Sequence, residues 1–186
     1  DQAQRFLAAH DAAESVSSAS RRSRDRFGEI VDLPAAEPFR NEPDTDFAES
    51  AHREAVSSAL EQTRSRPSFE IASVIAGARA ETGEIEYGFD PSRPRVVPYR
   101  CQLARAQEVE AALGCAEGAL QSCGRSTLRE RVEWVRSVAR VLRRRRASLI
   151  AAMVLDAGKR VSEADGEVSE AIDFAEYYLR QAEELG

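Results

Sequence analysis

No apolar run in this 186-residue chain approaches the length of about 18 that a membrane span needs. Residues 1–28 carry no charged-then-apolar leader. Aromatic residues are scarce, at 7 Phe, 4 Tyr and 1 Trp. That leaves Ala, Val and Leu to build the core and suits helices that pack closely. Cys101, Cys115 and Cys123 are an odd set without a C-x-x-C pair or a nearby histidine, which disfavours a disulfide scaffold or a zinc site and fits a reducing, cytoplasmic setting. The 10 glycines form neither G-x-G-x-x-G nor a Walker pattern, so no dinucleotide cradle is expected in this chain. The net charge of −6 argues against a nucleic-acid partner. Lys159 is the one lysine among 26 basic residues.

What is present is mostly helical patterning. Residues 1–28 are rich in Ala, Ser, Arg, Asp and Glu, with too few apolar residues to offset their own ordering entropy, and read as a docking helix or a linker. Pro34, Pro38 and Pro43 mark residues 29–47 as an extended connector. Asp44-Thr45-Asp46 then offers N-caps to a helix over residues 47–62. Alternation and β-branching predict a strand over 69–75, with shorter strands over 84–89 and 95–99 around an Asp90-Pro91-Ser92 turn.

From Leu103 onward the periodicity is helical. A first helix over 104–120 shows a stripe at Val109, Ala112, Leu113, Ala116 and Leu120. Thr127-x-x-Glu130 is a capping box that opens the second. Its stripe is interrupted at residues 143–146, which predicts a break near 145–148, and Gly158 is the expected left-handed stop. A third helix spans 161–184.

The residues by themselves suggest no catalytic constellation. A reactive thiol needs a base or a helix N-terminus, and His10 and His52 lie in other segments from the cysteines, which read as small apolar or loop residues. The four arginines at 143–146 read as a solvated helix end whose cations favour the helix C-terminus. Glu163, Asp165, Glu167, Glu170, Asp173 and Glu176 crowd the third helix without His or Cys, which reads as a solvated acidic face and not as a metal site.

Met153-Val154-Leu155-Asp156-Ala157-Gly158-Lys159, followed by Glu163-Ala164-Asp165, Glu170-Ala171-Ile172-Asp173-Phe174 and Tyr177-Tyr178, resembles the N-terminal helices of the aldehyde dehydrogenase superfamily. The form is most similar to the L-glutamate γ-semialdehyde (Δ1-pyrroline-5-carboxylate) dehydrogenases. Glu130-Arg131 with Val135, Ala139 and Leu142, and Asp90-Pro91-Ser92 with Val96-Val97, resemble other family elements. Phe39-Arg40-Asn41-Glu42-Pro43-Asp44-Thr45-Asp46-Phe47 resembles a segment just upstream of that domain in bifunctional proline dehydrogenase/glutamate-semialdehyde dehydrogenases. One departure is Gln121-Ser122-Cys123, where family members often carry Trp.

The resemblance implies an α/β aldehyde dehydrogenase-like fold, of which this piece is mainly α-helical with a small antiparallel β element. Residues 1–37 would be a helical or linker segment, and 38–186 the N-terminal part of the domain, ending before its nucleotide-binding and catalytic core. It implies NAD-dependent oxidation of L-glutamate γ-semialdehyde to L-glutamate in proline catabolism, by thiolate attack, hydride transfer and thioester hydrolysis. The catalytic cysteine, catalytic glutamate, Pro-Trp-Asn motif and NAD site would lie outside this chain, which alone is expected to be inactive. FAD enters only where a proline dehydrogenase domain precedes Asp1. A homo-oligomer, no nucleic acid and no membrane span are expected. One role carries over: Glu170, in the Glu-Ala-Ile-Asp-Phe motif, would face the substrate's α-ammonium group. The alternative is a non-catalytic helical interaction module that retains this scaffold.

Overall fold

The structure, a computed structural model, describes residues 38–185. The expectations for residues 1–37 lie outside the described residues. Five helices and five short strands follow in the order α1 (Ser50–Ser65), β1 (Phe69–Ile71), β2 (Ser73–Ile75), β3 (Ala78–Ala80), β4 (Ile85–Tyr87), β5 (Tyr99–Gln102), α2 (Ala106–Cys123), α3 (Leu128–Arg144), α4 (Arg146–Ala157) and α5 (Val161–Leu185).

Helix pairs form the core. α5 lies against α3 and α4, and α4 packs on α1. Val56 of α1, Ile150 of α4, and Ala164, Val168 and Ile172 of α5 are buried together, with Phe47, Leu60, Leu142 and Met153 packed around them. Each fully buried aliphatic side chain of this kind is worth about 1.5–3 kcal/mol. The small Ala151 and Ala164, both fully buried, keep large side chains out of the helix interfaces.

The capping box at the start of α3 forms as the sequence predicts. Thr127 Oγ1 accepts from the Glu130 N–H at 3.2 Å, and the Glu130 carboxylate accepts from the Thr127 N–H at 2.7 Å. The predicted break falls at Arg145, and Gly158 ends α4 at φ +67°. Asp90 anchors its turn by accepting from Ser92 N and Arg93 Nε, both at 2.8 Å.

The β region is rearranged relative to the sequence reading. The strand expected over 69–75 divides at Ala72. β1 joins a three-stranded sheet in the order β1–β5–β4, while β2 forms a hairpin with β3. β4–β5 and β2–β3 are antiparallel, but β1 runs parallel to β5, with Phe69 opposite Tyr99. The hairpin turns on Ala76 and Gly77, both at positive φ, which is the backbone a two-residue turn between twisted strands requires. The strand expected at 95–99 lies instead at Tyr99–Gln102, since Pro94 and Pro98 withhold ladder donors from the earlier residues.

The α1 start also differs. Helix α1 begins at Ser50, and its N-cap Glu49 makes no side-chain cap. Thr45 and Asp46 are used elsewhere. Thr45 is buried against α5, and Asp46 holds a turn through the Ala48 N–H at 3.0 Å and pairs its carbonyl with His52 Nδ1 at 2.9 Å.

Candidate functional site

The acidic residues of α5 sort into two faces. Asp165 and Glu176 point inward and are buried, which corrects the reading of this helix as a uniformly solvated acidic face. Asp165 accepts from Arg146 Nη1 at 2.7 Å and from Thr45 N and Oγ1, both at 2.6 Å. Glu176 accepts from Arg143 Nη1 and Arg180 Nη1, both at 2.9 Å.

The arginines that meet them correct a second expectation. Arg143 and Arg146 are not a solvated helix end. Both are buried, facing α5 and the extended chain before α1. Glu42 accepts from Arg143 Nε and Nη2 at 3.1 Å and lies 3.5 Å from Arg146 Nη2. Burial alone would lower the Arg143 pKa, but the Glu42 and Glu176 carboxylates more than reverse this and raise it. Only Arg144 and Arg145 of the run are exposed. Ala139, Arg143, Arg146 and Ile150 are all buried at spacings of four, three and four, so the two arginines continue one helical stripe across the break at Arg145.

Outward-facing acids are mostly engaged too. Glu163 pairs with Arg160 at 2.9 Å, and Glu167 with Lys159. Asp173 accepts from Asn41 Nδ2 at 2.7 Å and from the Glu42 N–H at 2.5 Å. Glu183 meets Arg136, and Glu184 meets Gln181. Among the described residues, Glu170 alone of the eight α5 acids has no hydrogen bond or ion pair.

Glu170 is exposed, about 200° around the helix from buried Ile172. One and two turns further along the same face stand Phe174 and Tyr177, with Tyr178 beside them, all exposed. Phe174 stacks on Tyr178 at 6.3 Å, and Tyr177 meets Tyr178 edge-on at 5.4 Å. Phe39 packs edge-on to Tyr177 at 5.5 Å. A free carboxylate next to aromatic faces suits an ammonium group, by direct pairing and by cation–π attraction.

The one site residue expected from the sequence, Glu170, stands on α5, and the cysteines stand on other elements. Cys101 is half-buried in β5, while Cys115 and Cys123 are exposed on α2. His52 is buried on α1, and His10 lies outside the described residues. A dinucleotide would need backbone N–H groups between a strand and a helix. The one described strand that leads directly into a helix, β5, does so through Leu103-Ala104-Arg105 without glycine, so these residues do not fit the phosphates of NAD. Among the described residues there is no group of three or more His, Cys, Asp or Glu suited to a metal ion, and no helix long and apolar enough to cross a membrane.

Residues 79–186 match the aldehyde dehydrogenase family. The chain belongs to the aldehyde dehydrogenase family. It is 35% identical over 145 residues to 1-pyrroline-5-carboxylate dehydrogenase of Geobacillus kaustophilus, a match that covers 78% of this chain and 28% of that protein. Among solved structures, proline utilization A from Bdellovibrio bacteriovorus, inactivated by N-propargylglycine, superposes with a TM-score of 0.78 at 33% identity, over 84% of this chain and 16% of that one. The Thermus 1-pyrroline-5-carboxylate dehydrogenase with bound NAD gives 0.74 at 35% identity, over 77% of this chain and 28% of that one. This aldehyde dehydrogenase chain therefore spans under a third of the length of these relatives. Over the aligned part these neighbours share the fold of this chain, whose described residues are mostly helical with small sheets.

Proposed function

We propose that the chain is the N-terminal portion of an NAD-dependent dehydrogenase that oxidises L-glutamate γ-semialdehyde to L-glutamate, and that Glu170 binds the substrate's α-ammonium group. Residues 38–186 are the start of the dehydrogenase domain in this reading. Residues 1–37 precede it, and the cysteine nucleophile and the NAD site belong to other parts of the protein. The observation that carries the substrate role is that, among the described residues, Glu170 is the uncommitted carboxylate on a helix whose other acids are paired. A free carboxylate on a rigid helix needs no reorganisation to receive a cation. The relatives named for 1-pyrroline-5-carboxylate support the same substrate class.

The exposed apolar residues of α2 and α3, Leu113, Leu120, Trp134 and Val138 among them, favour a piece that packs against further structure over a self-sufficient interaction module. The chain alone is expected to bind no NAD and to oxidise no aldehyde. Calorimetric titration showing micromolar NAD affinity would contradict this.

The substrate role is tested in the intact enzyme with two aldehydes, the semialdehyde and a simple aliphatic aldehyde that lacks an ammonium. A hydrogen bond to a charged group is worth about 1.5–3 kcal/mol. Glu170→Ala should therefore lower kcat/KM for the semialdehyde roughly 10- to 100-fold and leave the aliphatic aldehyde nearly unchanged. Equal losses for both would return Glu170 to a structural role.

A further inference from the structure

The motif Asn41-Glu42-Pro43-Asp44-Thr45 lies upstream of the residues that match the family, and the substrate role proposed above gives it no part. In the fold it is an extended strap across α5. Asn41 and the Glu42 N–H are held by Asp173 at 2.7 and 2.5 Å. Thr45 donates both its N–H and its hydroxyl to Asp165, at 2.6 Å each. Between these ends the Glu42 carboxylate reaches Arg143 at 3.1 Å and lies 3.5 Å from Arg146.

The two α5 anchors bracket Glu170, five residues before it and three after. Arg146 of α4 holds the same turn as well. Its Nη1 donates to Asp165 Oδ1 at 2.7 Å and to Ser169, the residue preceding Glu170, at 3.0 Å. A helix held by apolar contacts alone can rotate by a few degrees or slide at small cost. Directional charge-assisted bonds at two points along its length remove that freedom. Among the described residues Glu170 has no bonding partner, so there its position is set by the helix that carries it.

We infer that the strap formed by residues 41–45 is a positioning device for the substrate-binding carboxylate of Glu170, with Thr45 and Glu42 as positioning residues that hold α5, Thr45 through Asp165 and Glu42 through Arg143 and Arg146 of the helices packed on it. This rests on the reading of Glu170 given above. Substrate selectivity then depends on residues that never touch substrate. Discrimination between an amino-acid aldehyde and a plain one is written partly in the chain before α1.

The test uses the intact enzyme and Thr45→Val, which keeps the shape and the backbone N–H but removes the hydroxyl donor. Thr45→Ser is the rescue. Hydrogen exchange is read first: Thr45→Val should speed exchange of α5 amides around Asp165 and Glu170 while those in the middle of α3 stay protected. The second readout is the ratio of kcat/KM for L-glutamate γ-semialdehyde to that for an aliphatic aldehyde. Thr45→Val should lower this ratio about 10-fold, mainly through KM for the semialdehyde, and Thr45→Ser should restore it. Adding Thr45→Val to Glu170→Ala should lower it no further, since both act through one carboxylate. Unchanged α5 exchange, or equal loss for both aldehydes, overturns the inference. If α5 loosens but Glu170→Ala itself leaves the ratio unchanged, it is the reading of Glu170 that fails, and the strap is a brace for α5 without a substrate role.

Discussion

Arg146 and Asp165 meet at 2.7 Å with both side chains only 2% exposed. Taking two charges out of water is expensive, and the pair tolerates it because most of its polar atoms are satisfied. Asp165 also receives Thr45, and Arg146 also donates to Ser169. Removal of one partner should therefore be far worse than removal of both. Asp165→Ala is expected to cost about 3–5 kcal/mol, a large share of the roughly 5–15 kcal/mol that holds a domain folded. The double change Arg146→Met/Asp165→Leu should be less damaging than either single change. Urea midpoints of Asp165→Ala, the two single changes and the double change check the order.

Glu176 and Glu163 stand on the same helix and should behave in opposite ways. Glu176 neutralises both Arg143 and Arg180 in a buried setting, so Glu176→Ala leaves two arginines without that carboxylate and should sharply lower the melting temperature. Glu163 pairs with Arg160 at an exposed helix start, and Glu163→Ala should leave the melting curve in place. Glu163→Ala is thus the sound control for Glu170→Ala in kinetic work, and Glu176→Ala is not. Thermal melts of the two variants side by side are sufficient.

Tyr99 and Asp156 tie β5 to α4. The Tyr99 hydroxyl donates to Asp156 Oδ1 at 2.6 Å. That bond, followed by burial and repulsion from the Asp156 carboxylate, pushes its pKa up from 10.0 to about 12. The protonated form is the one the fold favours. Its contribution is complete below pH 10, the unfolded value, and is lost as pH rises through about 12. The stability advantage of the native chain over Tyr99→Phe should accordingly shrink across that window. Gly88 makes a second test. A Cβ there would sit 2.3 Å from Tyr99 Cζ, so Gly88→Ala must displace the ring from Asp156. Ultraviolet titration of tyrosinate should then show this residue ionising nearer 10.

The helices were legible in the sequence where the signal is local: the Thr127/Glu130 box, the Gly158 stop and the period of α5 all depend on residues within two turns of each other. Glu170 was legible through a motif, but its isolation among paired acids was not. That isolation depends on what Arg143, Arg146, Lys159, Arg160 and Asn41 each contact. Four consecutive arginines look solvated because a charge run usually is. Here Glu42, more than 100 positions away from Arg143, makes burial affordable, and no periodicity carries such a partner. Thr45 misled for a related reason. Its residue type fits an N-cap, which would accept from helix N–H groups, but a carboxylate 120 positions away takes its hydroxyl as a donor instead.

Helix α2 carries the clearest sign of a missing neighbour. Its stripe follows the helical period as expected, yet Val109, Leu113 and Leu120 are 49%, 55% and 70% exposed. Among the described elements the helix packs mainly on the short strand β2. Apolar area left in water forfeits about 25 cal/mol for each Å², and a contiguous exposed stripe promotes association. The chain on its own should therefore bind a hydrophobic dye, self-associate in sedimentation, and melt below about 65 °C. Leu113→Glu and Leu120→Glu should suppress dye binding and association without lowering the melting temperature, because neither side chain contributes to the buried core between α1, α4 and α5. A dye-silent monomer that melts cooperatively above that temperature would mean that the stripe is tolerated in water and that the chain is self-sufficient after all.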